Sequence, residues 1–210
     1  MTEVDFNNGM DVMGFEGLTP ARALIADLVR RYWILGMECS LLEIQNLAWF
    51  LQRVIQFKQL QNNLKLNFIA NNYGPYANNL DHLLNALDGS YLKSDKRIPD
   101  CNPMDVIAFN DEKKQQIELY LKSECKEYLD ALETANNIID GFESPFGMEL
   151  LSTVDWLVVK EGCELTLESI KNGLSRWPAG HKWAVRKEKL FNDRSLQIAI
   201  DKLKAVELYH

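Results

Sequence analysis

Residues 19–55, TPARALIADLVRRYWILGMECSLLEIQNLAWFLQRVI, decide the fold class. Thr19 and Pro20 supply a capping hydroxyl and a proline suited to the first turn of a helix, and apolar residues follow at helical spacing. Ser40 and Glu43 have the spacing of a capping box, after which a second apolar stripe begins. Because only a few residues join the two stripes, the sequence predicts an N-terminal helical hairpin.

Downstream of the hairpin, the pattern mixes short strands with further helices. Gly74 and Pro75 predict a turn with short strands around it, and residues 111–140 carry the apolar spacing of one long helix. The predicted fold class is therefore α+β and mainly helical. It has the N-terminal helical hairpin, a small β-sheet, the long helix and a C-terminal trihelical portion.

The pattern divides the chain into two segments. Residues 1–18 are acidic and predict a flexible linker or tail, whereas residues 19–210 carry the periodic patterns and predict one domain. Within that domain, residues 143–210 resemble the three-helix core of helix-turn-helix units and form a possible trihelical subdomain.

Composition excludes several classes of protein. With 47% hydrophobic residues, 11 glycines and 6 prolines, the 210-residue chain is neither disordered nor collagen-like. Its longest apolar runs fall far short of the roughly 18 residues that a membrane span requires, and the N-terminus lacks an export pattern. Four scattered cysteines without a CxxC pair predict no metal site. We expect a cytoplasmic protein with no membrane partner.

Charge is unevenly distributed along the chain. Of the net charge of −7, residues 1–18 contribute −4, and residues 111–150, with ten acidic and four basic side chains, contribute −6. Nucleic-acid binding depends on Lys and Arg that neutralise phosphates, so direct DNA binding is not expected from an acidic chain without a basic stripe. The acidity suits a basic partner instead.

Motifs for catalysis or for cofactors are missing from the sequence. It contains no phosphate-binding loop, dinucleotide fingerprint, serine-hydrolase elbow or HExxH zinc motif. Ala70, Asn71 and Asn72 resemble the asparagine loop of macrodomains, which bind ADP-ribose, but the glycines are scattered and form no phosphate loops, so we interpret this match as coincidental. We therefore predict no cofactor and no enzyme activity.

Three segments carry a resemblance to a known family. They are LTPARALIADLVRRYWILGMECSLLEIQNLAWFLQR (18–53), NFIANNYGPYANNLDHLLNALDGSYLKSDKRI (67–98) and GFESPFGMELLSTVDWL (141–157). They resemble the C-terminal toxin-binding domains of DarG, the antitoxins of bacterial DarTG toxin–antitoxin systems. More remotely, the order of elements is similar to Panacea or SocA-like antitoxin domains.

The resemblance implies a function. DarT toxins are NAD-dependent ADP-ribosyltransferases that modify thymidine in single-stranded DNA. DarG antitoxins join a macrodomain, which removes the mark, to a domain that binds the toxin by mimicking DNA. The expected function is thus a non-catalytic antitoxin domain that occludes the DNA site of a DarT-like toxin. The expected partners are that toxin and, if the chain is a fragment, the macrodomain.

A DNA mimic must offer negative charge and flat rings to a basic, aromatic-lined groove. Acidic and aromatic residues near the Gly-Pro turn and in the loop before the C-terminal helices are therefore the candidate toxin-binding residues. They are Tyr73, Tyr76, Asp81, Asp88, Tyr91, Asp95, Glu143 and Phe146.

Two alternatives remain open at this point. The trihelical end could belong to a helix-turn-helix transcription regulator of the toxin–antitoxin operon, since residues 151–210 carry a charge of +2 from ten basic and eight acidic side chains. The chain could also be a hydrolase of ADP-ribose or of a nucleotide, as the chemistry of the family's partner domain suggests.

Overall fold

The computed structural model describes residues 15, 17–34, 36 and 38–209, and it confirms the mainly helical α+β fold. The described elements are, in chain order, α1 (Pro20–Ile34), α2 (Leu41–Phe57), β1 (Ile69–Asn71), β2 (Gly74–Tyr76), α3 (Leu80–Leu87), β3 (Leu92–Lys93), β4 (Ala108–Phe109), α4 (Lys114–Glu124), α5 (Leu129–Ile139), α6 (Pro145–Val159), α7 (Leu167–Leu174), α8 (His181–Leu190) and α9 (Asp193–Lys204).

The helical hairpin forms as the capping pattern predicts. The Ser40 hydroxyl accepts the Glu43 backbone N–H, and the Glu43 carboxylate accepts the Ser40 backbone N–H, so both halves of the capping box are present. The hydroxyl of Tyr32, on α1, donates to Glu43 Oε1 at 2.6 Å. Because all three side chains are buried, this network fixes the angle at which α2 leaves α1.

The predicted small sheet is two separate antiparallel ladders. β1 pairs with β2 around the Gly-Pro turn, with Ile69 opposite Tyr76, and β3 pairs with β4. Each strand has only two or three residues, so tertiary packing rather than strand pairing holds the ladders in place.

The predicted long helix is broken into α4 and α5. At Cys125 the backbone leaves the helical region, with φ of −134°, and a 3₁₀ turn follows at Lys126–Tyr128. The buried Tyr128 hydroxyl donates to the Gln61 carbonyl at 2.7 Å. The break lets α4 pack on α1 while α5 packs mainly on α2, which one straight helix could not do.

The C-terminal region contains four helices where the sequence predicts three. α6 is the central one, with contacts to α2, β2, α7 and α9. The sequence pattern does not predict α8, because Lys187, a fully buried residue, stands where an apolar residue would complete the helical pattern. Pro178 and Gly180 favour a loop over residues 176–183, RWPAGHKW, but α8 already begins within this segment, at His181.

The predicted domain division stays a prediction. The acidic segment 1–18 lies mostly outside the described residues, and residues 143–210 are tested neither as a separate unit nor as part of one domain with residues 19–142. None of the helices in the described ranges is long and apolar enough to cross a membrane.

Candidate functional site

A cleft of about 260 Å³ lies between the first turns of α2 and the β1–β2 hairpin. We call it the amide cleft after the amide and phenol side chains that line it, which are Gln45, Asn46, Asn71, Asn72, Tyr73 and Tyr76. None of these groups carries a charge at neutral pH. Because most of its exposed lining is apolar, the cleft suits an uncharged ligand part that has an apolar face and a few hydrogen-bonding atoms.

Gly74 brings the hairpin close to α2 and α6. Its φ of +124° lies in the region that favours glycine. A Cβ atom there would stand 2.9 Å from Ser152 Oγ and 3.2 Å from Asn46 Oδ1, which is too close for any other residue. The Gly-Pro turn thus builds one wall of the amide cleft directly against buried polar side chains.

Asn46 leaves one end of its amide unpaired. Its side chain is 1% exposed, and its Oδ1 accepts the Ser152 hydroxyl at 2.9 Å. Its Nδ2 has no hydrogen-bond partner, the one such buried side-chain atom in the described part of the chain. An unsatisfied buried donor costs roughly 1–3 kcal/mol. A ligand with an acceptor atom would recover that cost.

Gln45, the neighbouring amide, is fully paired. Its Nε2 donates to the Ala77 carbonyl at 3.3 Å, and its Oε1 accepts the Ala77 N–H at 2.9 Å. This reciprocal pair ties the end of the hairpin to α2. Gln45 therefore positions the cleft wall, whereas Asn46 keeps a free donor.

A second cavity of about 190 Å³ adjoins the amide cleft, and we call it the Asp81 lobe. The two cavities share Leu41, Tyr76 and Cys101. Burial raises the pKa of the Asp81 carboxyl, and the nearby His82 opposes that shift. Burial and the charge of Asp81 likewise raise the pKa of Tyr76. A partly buried carboxyl with a raised pKa is a candidate for proton transfer.

An aromatic pair forms the rim of the amide cleft. The rings of Tyr73 and Trp183 meet edge to face with centroids 5.8 Å apart. The guanidinium carbon of Arg186 lies 5.0 Å from the centre of the Tyr73 ring. Arg186 is held by two hydrogen bonds to the Glu149 carboxylate, at 2.5 and 3.1 Å. The rim thus joins the hairpin to α8.

A buried charge cluster supports this rim from below. Lys187 is fully buried, and its Nζ donates to Glu149 Oε1 at 2.9 Å and to Thr153 Oγ1 at 3.0 Å. Burial lowers the pKa of Lys187 to about 8 although the Glu149 carboxylate acts in the opposite direction. No pattern in the sequence predicts this cluster.

The structure brings three of the eight predicted site residues together. Tyr73 and Tyr76 line the amide cleft, and Asp81 lines the adjoining lobe. The other five line neither cavity; they are Asp88, Tyr91, Asp95, Glu143 and Phe146. The positions of the eight residues do not test whether they bind a toxin, so this role stays a prediction.

The five remaining residues have mostly local roles. Asp88 accepts the Ile98 backbone N–H at 3.1 Å, and Tyr91 is buried in the core. Asp95 is exposed. Glu143 accepts the Gly141 N–H at 2.8 Å, and Phe146 meets the Phe191 ring at 5.8 Å. Within the described ranges, no cluster of three or more His, Cys, Asp or Glu side chains is arranged to hold a metal ion.

Fold and cleft together define a mainly helical α+β protein with a cleft lined by uncharged side chains. The chain is similar to a DNA ADP-ribosyl glycohydrolase of Thermus aquaticus, with 34% identity over 189 residues, which are 89% of the chain and 47% of that relative. Proteins of the same name from Mycobacterium bovis and Mycobacterium tuberculosis are each 28% identical over 209 residues, covering 91% of the chain and 55% of the relative. No family model matches. The chain spans about half the length of the curated relatives it matches.

These names correct the functional predictions made from the sequence. The relatives are named for a glycohydrolase activity on ADP-ribosylated DNA and not as toxin-binding antitoxin domains, which contradicts the predicted DarG-type toxin-binding domain and its neutralisation of a toxin by DNA mimicry. The same names overturn the prediction of no enzyme activity. The helix-turn-helix regulator is not supported either. The predicted toxin and macrodomain partners are untested and stay predictions.

Proposed function

We propose that the chain takes part in removing ADP-ribose from DNA and that the amide cleft holds the modified nucleotide. The similarity to three proteins named DNA ADP-ribosyl glycohydrolase, over about nine-tenths of the chain, carries this proposal. The unpaired amide of Asn46 supports the choice of cleft, since it offers a buried donor to a ligand.

The chemistry of the cleft fits a nucleoside. A nucleobase has a flat ring with acceptor atoms on its edge, and the amide groups of Asn46, Asn71 and Asn72 can pair with such an edge. The phenol ring of Tyr76 offers a face on which this base stacks. The negative charges of an ADP-ribosyl group would lie outside this uncharged cleft, toward Arg186.

Asp81 is the proposed proton acceptor. In glycoside hydrolysis a water oxygen forms a bond to the anomeric carbon, the bond from that carbon to the DNA breaks, and its electron pair stays on the DNA atom. The Asp81 carboxylate accepts a proton from the attacking water, and the protonated carboxyl then returns one to the leaving DNA atom. The products are free ADP-ribose and unmodified DNA.

Two substitutions test the assignment by separating binding from hydrolysis. With an ADP-ribosylated oligonucleotide as substrate, Asn46→Ala should weaken binding by about 10-fold, because one buried hydrogen bond to the ligand is lost. Asp81→Asn should slow the release of ADP-ribose by about 100-fold or more with little change in binding. Binding is followed by fluorescence anisotropy and release by mass spectrometry.

Matched controls use the same residue types away from the cleft. Asn137→Ala, on the exposed side of α5, and the exposed Asp95→Asn should leave binding and release unchanged. Asn72→Ala, at the half-buried turn of the hairpin, repeats the binding test at a position less important for folding. The proposal fails if the cleft variants match their controls in both measurements.

A further inference from the structure

Helix α8 presents an open basic face beside the amide cleft. Lys182, Arg186 and Lys189 are separated by four and three positions, so they lie on one side of the helix. Together with Val185 and Leu190 they line an open groove of about 440 Å³. We call these five residues the α8 face.

Two of these cations are available to a ligand. Lys182 and Lys189 are exposed, and neither takes part in an ion pair with any residue that the structure describes. Arg186 is held by Glu149, which also neutralises the buried Lys187. Glu188 is the one acidic residue of α8, and it does not line the groove. The α8 face therefore carries a local positive charge although the whole chain has a net charge of −7.

The α8 face is continuous with the rim of the amide cleft. Arg186 belongs to the α8 face and also lies 5.0 Å from the ring centre of Tyr73, which lines the cleft. Trp183, one turn before Lys187, meets the same ring. Both rings are half-buried and so keep exposed surface. Cations beside aromatic platforms are the combination that binds single-stranded nucleic acid, where phosphates pair with the charges and unpaired bases stack.

We propose that the α8 face binds the phosphates of single-stranded DNA next to the modified nucleotide, while Tyr73 and Trp183 stack on a neighbouring unpaired base. This inference rests on the proposed function, since it assumes that the modified nucleotide occupies the amide cleft. A single strand fits better than a duplex because stacking on these rings requires a base that is not already stacked in a helix. The acidity of the chain argues against general nucleic-acid binding, and the proposal confines binding to this one face.

A charge-reversal experiment tests the inference. Anisotropy titrations with an unmodified single-stranded oligonucleotide compare the unaltered protein, the double variant Lys182→Glu/Lys189→Glu, and the control Lys122→Glu/Lys126→Glu. The control changes the net charge equally at exposed lysines on and just after α4. The α8 variant should bind about 10-fold more weakly or worse, and its slope of log affinity against log salt should fall by roughly one to two. The control should stay within about 2-fold.

Three outcomes would overturn the inference. They are equal weakening in the two double variants, preference for duplex over single-stranded DNA, and competition by poly-glutamate as effective as that by DNA. A modified mononucleotide separates this inference from the proposed function, because it occupies the cleft without a flanking strand. If the α8 variant loses single-strand binding and neither it nor the unaltered protein cleaves the mononucleotide, the binding of single-stranded DNA by the α8 face stands, and the proposed function of the amide cleft falls.

Discussion

Lys187 shows how a single buried residue can both organise a site and make its stability depend on pH. The amine lies in the core with one carboxylate, Glu149, and one hydroxyl, Thr153, as partners. Removing a charge from water costs several kcal/mol, and one ion pair repays that cost only in part. The pKa of Lys187 is lowered to about 8 because the ion pair with Glu149 does not fully offset the cost of burying the charge.

Lys187 therefore predicts that stability increases at alkaline pH. Because the folded pKa of about 8 lies below the unfolded value near 10.5, the unfolded chain binds more protons between these values, and unfolding becomes less favourable as pH rises. Relative to Lys187→Met, the free energy of unfolding of the unaltered protein should rise by about 2 kcal/mol between pH 7 and pH 10. Urea titrations at several pH values measure this difference.

Comparison with Lys187→Met is needed because the protein also contains tyrosines and cysteines with raised pKa values. Burial raises the pKa of Tyr120 and of Cys125 to about 12 each, and both groups destabilise the fold as pH rises past their unfolded values. These effects occur equally in both proteins and cancel in the difference. A difference that is constant with pH, or that falls, would contradict the account of Lys187.

The sequence patterns identified some residues of the site and not others. Tyr73, Tyr76 and Asp81 could be selected because the Gly-Pro turn marks the hairpin in the sequence. Asn46 could not, since a polar residue within an amphipathic helix is ordinarily on the exposed face, and only the packed hairpin makes its amide a buried donor. The burial of Lys187 could not be predicted for a related reason, because lysine is rarely fully buried.

At the scale of elements, caps explain why the helix boundaries were predictable. Pro20 and Ser40 predict where α1 and α2 begin, and in the structure α1 begins at Pro20 and α2 at Leu41. The boundary between α4 and α5 carries no such signal, because the apolar spacing continues through Cys125 and Tyr128. The break depends on packing against α1 and α2, which no local pattern contains.

The two capping hydroxyls Ser40 and Thr166 should differ in their contributions to stability. Ser40 is buried, accepts the Glu43 N–H and donates to Glu43 Oε2 at 2.6 Å. Thr166 is exposed and accepts the Ser169 N–H at 3.3 Å. We expect Ser40→Ala to lower the free energy of unfolding by about 2 kcal/mol and Thr166→Ala by about 1 kcal/mol or less.

Urea denaturation of the two alanine variants measures both losses. The difference comes from the buried carboxylate of Glu43, which loses a charge-assisted hydrogen bond only in Ser40→Ala. Equal losses in the two variants would show that the buried network adds nothing to the cap.

In the whole molecule, part of the acidic charge that the sequence pattern related to a basic partner is paired within the fold. Within residues 111–150, four of the ten acidic side chains form ion pairs, three of them with the N-terminal hairpin and the residue after it. These pairs are Glu118 with Arg30, Glu133 with Arg31, Asp130 with Lys58 and Glu149 with Arg186. Part of the acidity therefore serves the packing of α4, α5 and α6.

The functional prediction also rested on properties of the whole chain. Net charge and the family resemblance both pointed toward mimicry of DNA, whereas the named relatives point toward hydrolysis of a modification on DNA. The amide cleft joins residues 41–46, 71–76 and 101–103, which come together only through the packing of the hairpin against α2. No local motif could reveal a site assembled in this way.

The release of ADP-ribose from an ADP-ribosylated oligonucleotide by the purified protein tests the claim that this chain hydrolyses the modification. We predict a time-dependent loss of the mass of one ADP-ribosyl group from the DNA, with free ADP-ribose appearing in equal amount, and a rate that falls in Asp81→Asn. An oligonucleotide that keeps its full mass after prolonged incubation with folded protein would contradict the claim.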